Sequence, residues 1–222
     1  DLYDITVFGA EPHPNYNRIL LSPVLAGEQT FEEIVLNDLN WYADNGIKLL
    51  LGRKVVKIDR KKRLVIADDG SEAEYDRLLI ATGSNPFILP IPGKDLQGVI
   101  GYRDIADTQT MMDTAKTHKH AVVIGGGLLG LEAANALKQL GLQTHVVEFA
   151  PQLMAVQLDQ NGGQMLSQKI TELGVQVHVR LAQCAQTGDP HFCRRESVHP
   201  QDQTNAVRIT VSRLRNCQNF FR

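Results

Sequence analysis

A β-branched run that breaks into three glycines and re-emerges as a helical pattern leaves a chain few ways to fold. Ala121-Val122-Val123-Ile124 is that run, and Gly125-Gly126-Gly127-Leu128-Leu129-Gly130 is the break. The helical pattern continues to about Leu140, where Gly141 stops it. Thr144–Glu148 reads as a second strand, Gln160–Leu173 as a helix ended by Gly174, and Val175–Val179 alternates like a third strand. Strand, helix, strand, helix, strand predicts an α/β fold, with a parallel sheet covered by crossover helices.

The glycine spacing carries chemistry as well. Gly125 permits the tight turn out of the strand, Gly127 lets a pyrophosphate approach bare backbone, and Gly130 lets the helix lie close to the sheet. The free N–H groups at the helix start, on the positive end of its dipole, then face the phosphates. Glu148 lies 18 residues beyond Gly130, at the end of the second strand. A carboxylate there accepts the hydroxyls of an adenosine ribose and repels a 2′-phosphate. Residues 149–168 hold no Lys or Arg to receive that phosphate, so NADH is expected ahead of NADPH. The plainer alternative is a βα turn that binds nothing, with Glu148 a solvated strand end. The agreement of strand, spacing and acid favours the dinucleotide.

Ahead of this unit, Ile5–Phe8, Leu49–Leu51, Lys54–Asp59 and Arg63–Ala67 read as strands, and Asp68-Asp69-Gly70 as a tight turn. Leu78–Ala81 reads as a buried strand ended by the breakers Thr82-Gly83-Ser84-Asn85-Pro86. Pro90, Pro92 and Gly93 make a stiff connector. The expected organisation is residues 1–98, 99–179 and a tail of different composition, 180–222. That tail has seven arginines, no lysine and three acids, a net +4, which leaves −6 for the remainder of a chain at −2. It also holds all three cysteines, Cys184, Cys193 and Cys217, and one of the 18 glycines. Their irregular spacing suits neither a disulfide framework nor a zinc site, so reduced thiols are expected.

Whole-chain composition excludes several classes. With 222 residues, 43% hydrophobic and 22% charged, the chain can bury a core and is too apolar for disorder. No run nears the roughly 18 apolar residues of a membrane helix. The small net charge offers no general attraction for nucleic acid or anionic lipid, and Asp1–Ile5 shows no signal pattern. A soluble cytoplasmic protein is the expectation.

The segments Glu11–Gly27, Tyr75–Phe87 and His120–Ala134 resemble the large subunit of NAD(P)H-dependent assimilatory nitrite reductases, and the resemblance runs from residue 1 to about 179. It implies a two-dinucleotide-fold flavoprotein of the pyridine nucleotide-disulfide oxidoreductase superfamily, here an incomplete FAD domain followed by a Rossmann-like βαβ NAD domain. By that resemblance Glu11 holds the FAD ribose, Arg18 lies along the FAD, Val56 meets the adenine by backbone, and Ala81-Thr82-Gly83 form a second turn against the cofactor. On spacing alone, Glu11 reads equally well as a loop residue. Gly125, Gly127, Leu129, Gly130, Glu132 and Glu148 fall to the NAD side.

The implied reaction is hydride transfer from NADH to FAD. In the intact enzyme, iron–sulfur centres and sirohaem outside this chain would then reduce nitrite to ammonia, and a homodimer is expected. No catalytic acid or base and no metal ligand set stands out. A reductase of a ferredoxin- or rubredoxin-type carrier protein is the alternative, and a truncated nucleotide-binding product without turnover is a third. Related ferredoxin reductases tend to carry Lys where this chain has Pro23, which fits the nitrite reductase branch, and the lack of a redox pair near the flavin argues against glutathione- and thioredoxin-reductase types. The glycine turn expected before Glu11, the segment that completes an FAD domain and the metal-binding cysteines are absent. From about residue 180 an out-of-frame or foreign extension is expected, and the chain reads as a fragment.

Other residues carry plainer expectations. Arg60-Lys61-Lys62-Arg63 reads as a solvated turn rather than a nucleic-acid contact. His191 and Cys193, with Cys184 nearby, make a poor metal site. His118 and His120 read as surface residues. Trp41 and Tyr42 read as core, with an approach of Trp41 to the flavin as the alternative.

Overall fold

The computed structural model describes residues 3–91 and 93–179 and, as backbone alone, 206–210. These described residues fall into two compact units, one within the ranges 1–18 and 31–84, the other within 19–30 and 85–222.

In the first unit, β1 (Ile5–Phe8) pairs in parallel with β2 (Ile47–Leu50), with Ile5 opposite Ile47. The short helix α2 (Leu39–Asp44) leads into β2 and starts at Asp38, whose carboxylate accepts from Trp41 N at 2.8 Å. Strands β3 (Val55–Asp59), β4 (Leu64–Ala67) and β5 (Glu72–Glu74) make an antiparallel meander. Its register slips between Val55 and Lys57, so Val56 is the extra residue of a β-bulge. Asp59 accepts from Lys61 N and Lys62 N, both at 3.0 Å, and its carboxyl is held below the usual carboxylate range chiefly by the Lys62 bond. The basic run Arg60–Arg63 is a solvated turn, as expected. Strand β5 carries no β-forming residue. It is recruited by β4, whose Val65 and Ala67 are buried.

Two expectations fail in this unit. Leu78–Ala81 is not a buried strand: the segment has no regular structure, and Leu79 and Ile80 are 88% and 64% exposed. An apolar run becomes an interior strand only where strands flank it, and none does so among the described residues. Trp41 is not core but exposed on a six-residue helix, with its ring edge-on to Tyr42 at 5.2 Å.

The second unit is built on a parallel sheet of β6 (Val99–Ile100), β10 (Ala206–Thr210), β7 (His120–Ile124), β8 (Gln143–Glu148) and β9 (Gln176–Val179), side by side in that order. Helices α4 (Leu128–Gln139) and α5 (Gln160–Glu172) are the crossovers, ended by Gly141 and Gly174 at positive φ. Gly130, Ala133, Ala134 and Leu137 recur at helical spacing on the buried face of α4, and Ala121, Val123 and Val146 are fully buried in the sheet. Helix α3 (Ile105–Ala115), capped by Asp104, was not expected, and α1 (Leu21–Leu25) packs against both α3 and α4.

The expected limit at residue 98 falls just before β6, and the compact units divide at residue 84, with residues 19–30 in the second. Of the expected tail, Ala206–Thr210 forms the strand between β6 and β7, and the rest, with its cysteines and His191, lies outside the described residues.

Candidate functional site

The glycine turn after β7 is held by both strands. Gly125 N donates to Val147 O at 2.8 Å, and its φ of 126° is open to glycine. Gly130 answers a close approach: a Cβ there would stand 1.9 Å from the Gly125 carbonyl oxygen, so only glycine lets the first turn of α4 lie on the turn before it. A Cβ on Gly126 would meet Leu153 Cδ2 at 2.5 Å. At Gly127 the surrounding space is empty within 4 Å. The same residue is the N-cap of α4 and supplies no side-chain acceptor, which leaves the first-turn N–H groups for a ligand.

Glu148 is built into this turn. Its Oε2 accepts from Gly126 N at 2.7 Å and its Oε1 from Ala150 N at 2.8 Å. The carboxylate is thereby fixed beside the glycine loop, and a carboxylate with four lone-pair directions still has room for ribose hydroxyls. Gly126 O accepts from Met154 N at 2.9 Å, and Met154 sits at φ 50°, a strained conformation for a side-chain-bearing residue. Beyond the loop, a cleft of about 200 Å³ is lined by Pro151, Gln152, Gln160 and Gln164, with no basic group. Leu128 and Leu129 are 63% and 40% exposed at the open end of α4.

Glu132, one turn further along α4, accepts from Ser22 Oγ at 2.9 Å, and Tyr102 Oη donates to Ser22 Oγ at 3.2 Å. Ser22 and Tyr102 are buried. Burial first, and then the Glu132 charge, push the Tyr102 phenol up to about 12, although its bond to Ser22 opposes this.

In the first unit, Glu11 follows β1 and is held by side chains: Tyr16 Oη donates to Oε2 at 2.6 Å and Arg18 to Oε1 at 2.5 Å. Arg18 also lies over the Tyr16 ring, 4.8 Å from its centre. Val56 is exposed, and its place in the bulge takes its backbone out of the ladder. Ala81, Thr82 and Gly83 are exposed, with Gly83 at φ 66°. His118 and His120 are half-buried rather than surface residues, and His120 Nδ1 is buried without a partner among the described residues. Also among the described residues, no three His, Cys, Asp or Glu side chains could share a metal ion, and no helix is long and apolar enough to cross a membrane.

Sequence reasoning singled out Gly125, Gly127, Gly130, Glu132 and Glu148, and did not single out the Gly126, Ala150, Ser22 and Tyr102 groups bonded around them. The extra glycine inside the fingerprint was the signal available for Gly126. A backbone donor such as Ala150 leaves no trace in residue type, and neither hydroxyl falls in a motif.

The profile of the family "Pyridine nucleotide-disulphide oxidoreductase" matches residues 2–213, past the residue-179 limit of the resemblance. The chain is 51% identical over 175 residues to "Nitrite reductase [NAD(P)H]" of Bacillus subtilis (strain 168), a match that covers 79% of this chain and 22% of that protein. It is 32% identical over 176 residues to the "Benzene 1,2-dioxygenase system ferredoxin--NAD(+) reductase subunit" of Pseudomonas putida, covering 79% of this chain and 43% of that one. Among solved structures, the covalent putidaredoxin reductase–putidaredoxin complex superposes with a TM-score of 0.72 at 28% identity, over 80% of this chain and 43% of that chain. The chain thus spans about a fifth of the length of the nitrite reductase it matches.

Proposed function

This chain belongs to the pyridine nucleotide-disulphide oxidoreductase family, and on that premise we propose that it is the NADH-binding and part of the FAD-binding module of a nitrite reductase. The observation that carries the reading is Glu148, clamped by Gly126 N and Ala150 N beside the glycine turn that opens α4. The uncapped N–H groups of α4 receive the pyrophosphate, the open space at Gly127 gives it access, and Glu148 takes the adenosine ribose. The absence of basic groups in 149–168 and in the neighbouring glutamine-lined cleft favours NADH over NADPH.

The first unit also offers polar groups of the kind FAD needs. Glu11 stands after a parallel strand as Glu148 does, and the Val56 bulge leaves backbone N–H and C=O groups to pair with an adenine edge. Arg18 adds a cation along the pyrophosphate, and the Ala81–Gly83 backbone adds a second close approach. Bound together, the two cofactors supply hydride transfer from nicotinamide C4 to flavin N5. The chain contributes binding and orientation, and no side-chain acid or base is assigned to the step. In a parent enzyme of this type, iron–sulfur and sirohaem centres outside this chain would take up the electrons, and a cytoplasmic location belongs to the same proposal. A carrier-protein reductase is favoured instead only by the likeness to the ferredoxin- and putidaredoxin-linked enzymes.

An anaerobic visible spectrum of the purified chain with FAD, before and after NADH, tests the reading. A bound flavin band that bleaches on NADH is the expected result. Quenching of NADH fluorescence without retained FAD would confine the function to nucleotide binding. A chain that shows neither retained flavin nor quenched NADH fluorescence overturns the reading.

A further inference from the structure

Three polar side chains far apart in sequence meet inside the second unit. Ser22 on α1 and Glu132 on α4 are 110 residues apart, and Tyr102 stands 80 residues from Ser22. The direction of the chain is dictated by chemistry. A carboxylate only accepts, so the Ser22 hydroxyl must donate to Glu132, which leaves the Ser22 oxygen to accept from the Tyr102 phenol. Tyr102 is 4% and Ser22 8% exposed, so neither hydroxyl has ready exchange with water. Such a chain holds one carboxylate oxygen in place. The other oxygen of Glu132 has no partner among the described residues.

The position of Glu132 gives that free oxygen a use. It lies five residues along α4 from Gly127, a rise of about 7.5 Å. If the pyrophosphate sits on the start of α4 and Glu148 holds the adenosine ribose, the nicotinamide half is the part of the cofactor left for α4 and α1 to meet. Oxidised nicotinamide carries a positive ring and reduced nicotinamide is neutral. A carboxylate held at that end therefore distinguishes the two.

We propose that Ser22 and Tyr102 are positioning residues for Glu132, whose oriented carboxylate makes the nucleotide site favour the cationic nicotinamide ring. The inference rests on the NAD reading of Gly125–Glu148. It deepens that reading by assigning two residues outside the glycine motif to the nicotinamide end. Because hydride departure turns a neutral ring into a cation, the same carboxylate favours the direction in which NADH is spent.

The test is equilibrium binding of NAD⁺, NADH and ADP-ribose to the full chain and to Ser22→Ala, Ser22→Thr and Tyr102→Phe, by titration calorimetry. ADP-ribose has the pyrophosphate and both riboses but no nicotinamide ring, so it reports the rest of the site. Ser22→Ala is expected to weaken NAD⁺ about five- to tenfold, as loss of a hydrogen bond to a charged group does, with ADP-ribose within twofold of wild type. Ser22→Thr, which keeps the hydroxyl, restores NAD⁺ binding, and Tyr102→Phe gives a smaller loss of the same kind. A ratio of NAD⁺ to ADP-ribose affinity that Ser22→Ala leaves within twofold would overturn the proposal. So would a parallel loss of all three ligands, which marks a structural role for Ser22 alone. If the unaltered chain binds none of the three, the NAD reading itself has failed and this inference with it.

Discussion

Two carboxylates stand at matching places in the two units, each at or just past the end of a parallel strand, and they are held in opposite ways. Glu148 is clamped by backbone, through Gly126 N and Ala150 N. Glu11 is clamped by side chains, through Tyr16 and Arg18, and Arg18 already neutralises it. A backbone clamp is fixed by the fold itself and costs no rotamer freedom, whereas a side-chain clamp must order long groups and can be exchanged for a ligand. On the proposed reading, the second unit would present a ribose acceptor already in place, and the first one that must be released before it can serve.

The largest expected effect breaks the finished site at its tightest point. Gly130→Ala sets a Cβ against the Gly125 carbonyl and should destabilise the chain by about 2–3 kcal/mol, as overpacking does, and abolish NADH quenching. Thermal denaturation and fluorescence titration check both.

Next comes the contrast between the carboxylates. Glu148→Gln is expected to lower NADH affinity about tenfold and to narrow the preference over NADPH. Glu11→Gln should leave NADH within twofold while reducing the FAD kept after desalting. Equal effects on NADH would erase the distinction drawn between the two units.

A third test concerns Tyr102. Its phenol, pushed up to about 12 from 10.0, holds its proton more tightly folded than unfolded. The associated stability is complete below pH 10 and lost as pH rises toward 12. Denaturant melts of the unaltered chain should show a fall of about 2 kcal/mol across that window, and Tyr102→Phe should flatten it.

The smallest effect is expected at the exposed apolar run. Leu79→Ser removes a side chain that is 88% exposed and should change stability by less than about 0.5 kcal/mol. A large loss would restore the buried strand that the sequence pattern suggests.

What could be read without coordinates was local. The β7–α4–β8–α5–β9 succession, the glycine-ended helices and the Gly125–Glu148 fingerprint all rest on backbone conformation and on periodicities that repeat within about thirty residues. These survive in the sequence because each residue meets its constraint among near neighbours. The run Leu78–Ala81 and the pair Trp41–Tyr42 misled because apolar character says that a residue would gain by burial, and not that a partner stands ready to bury it. Tertiary structure alone decided the rest: that Ala206–Thr210 enters between β6 and β7, that Gly126 and Ala150 grip Glu148, and that Tyr102, Ser22 and Glu132 form one chain. Those pairings join positions up to 110 residues apart, and residue type by itself does not say which distant donor will meet a given acceptor once the chain has closed.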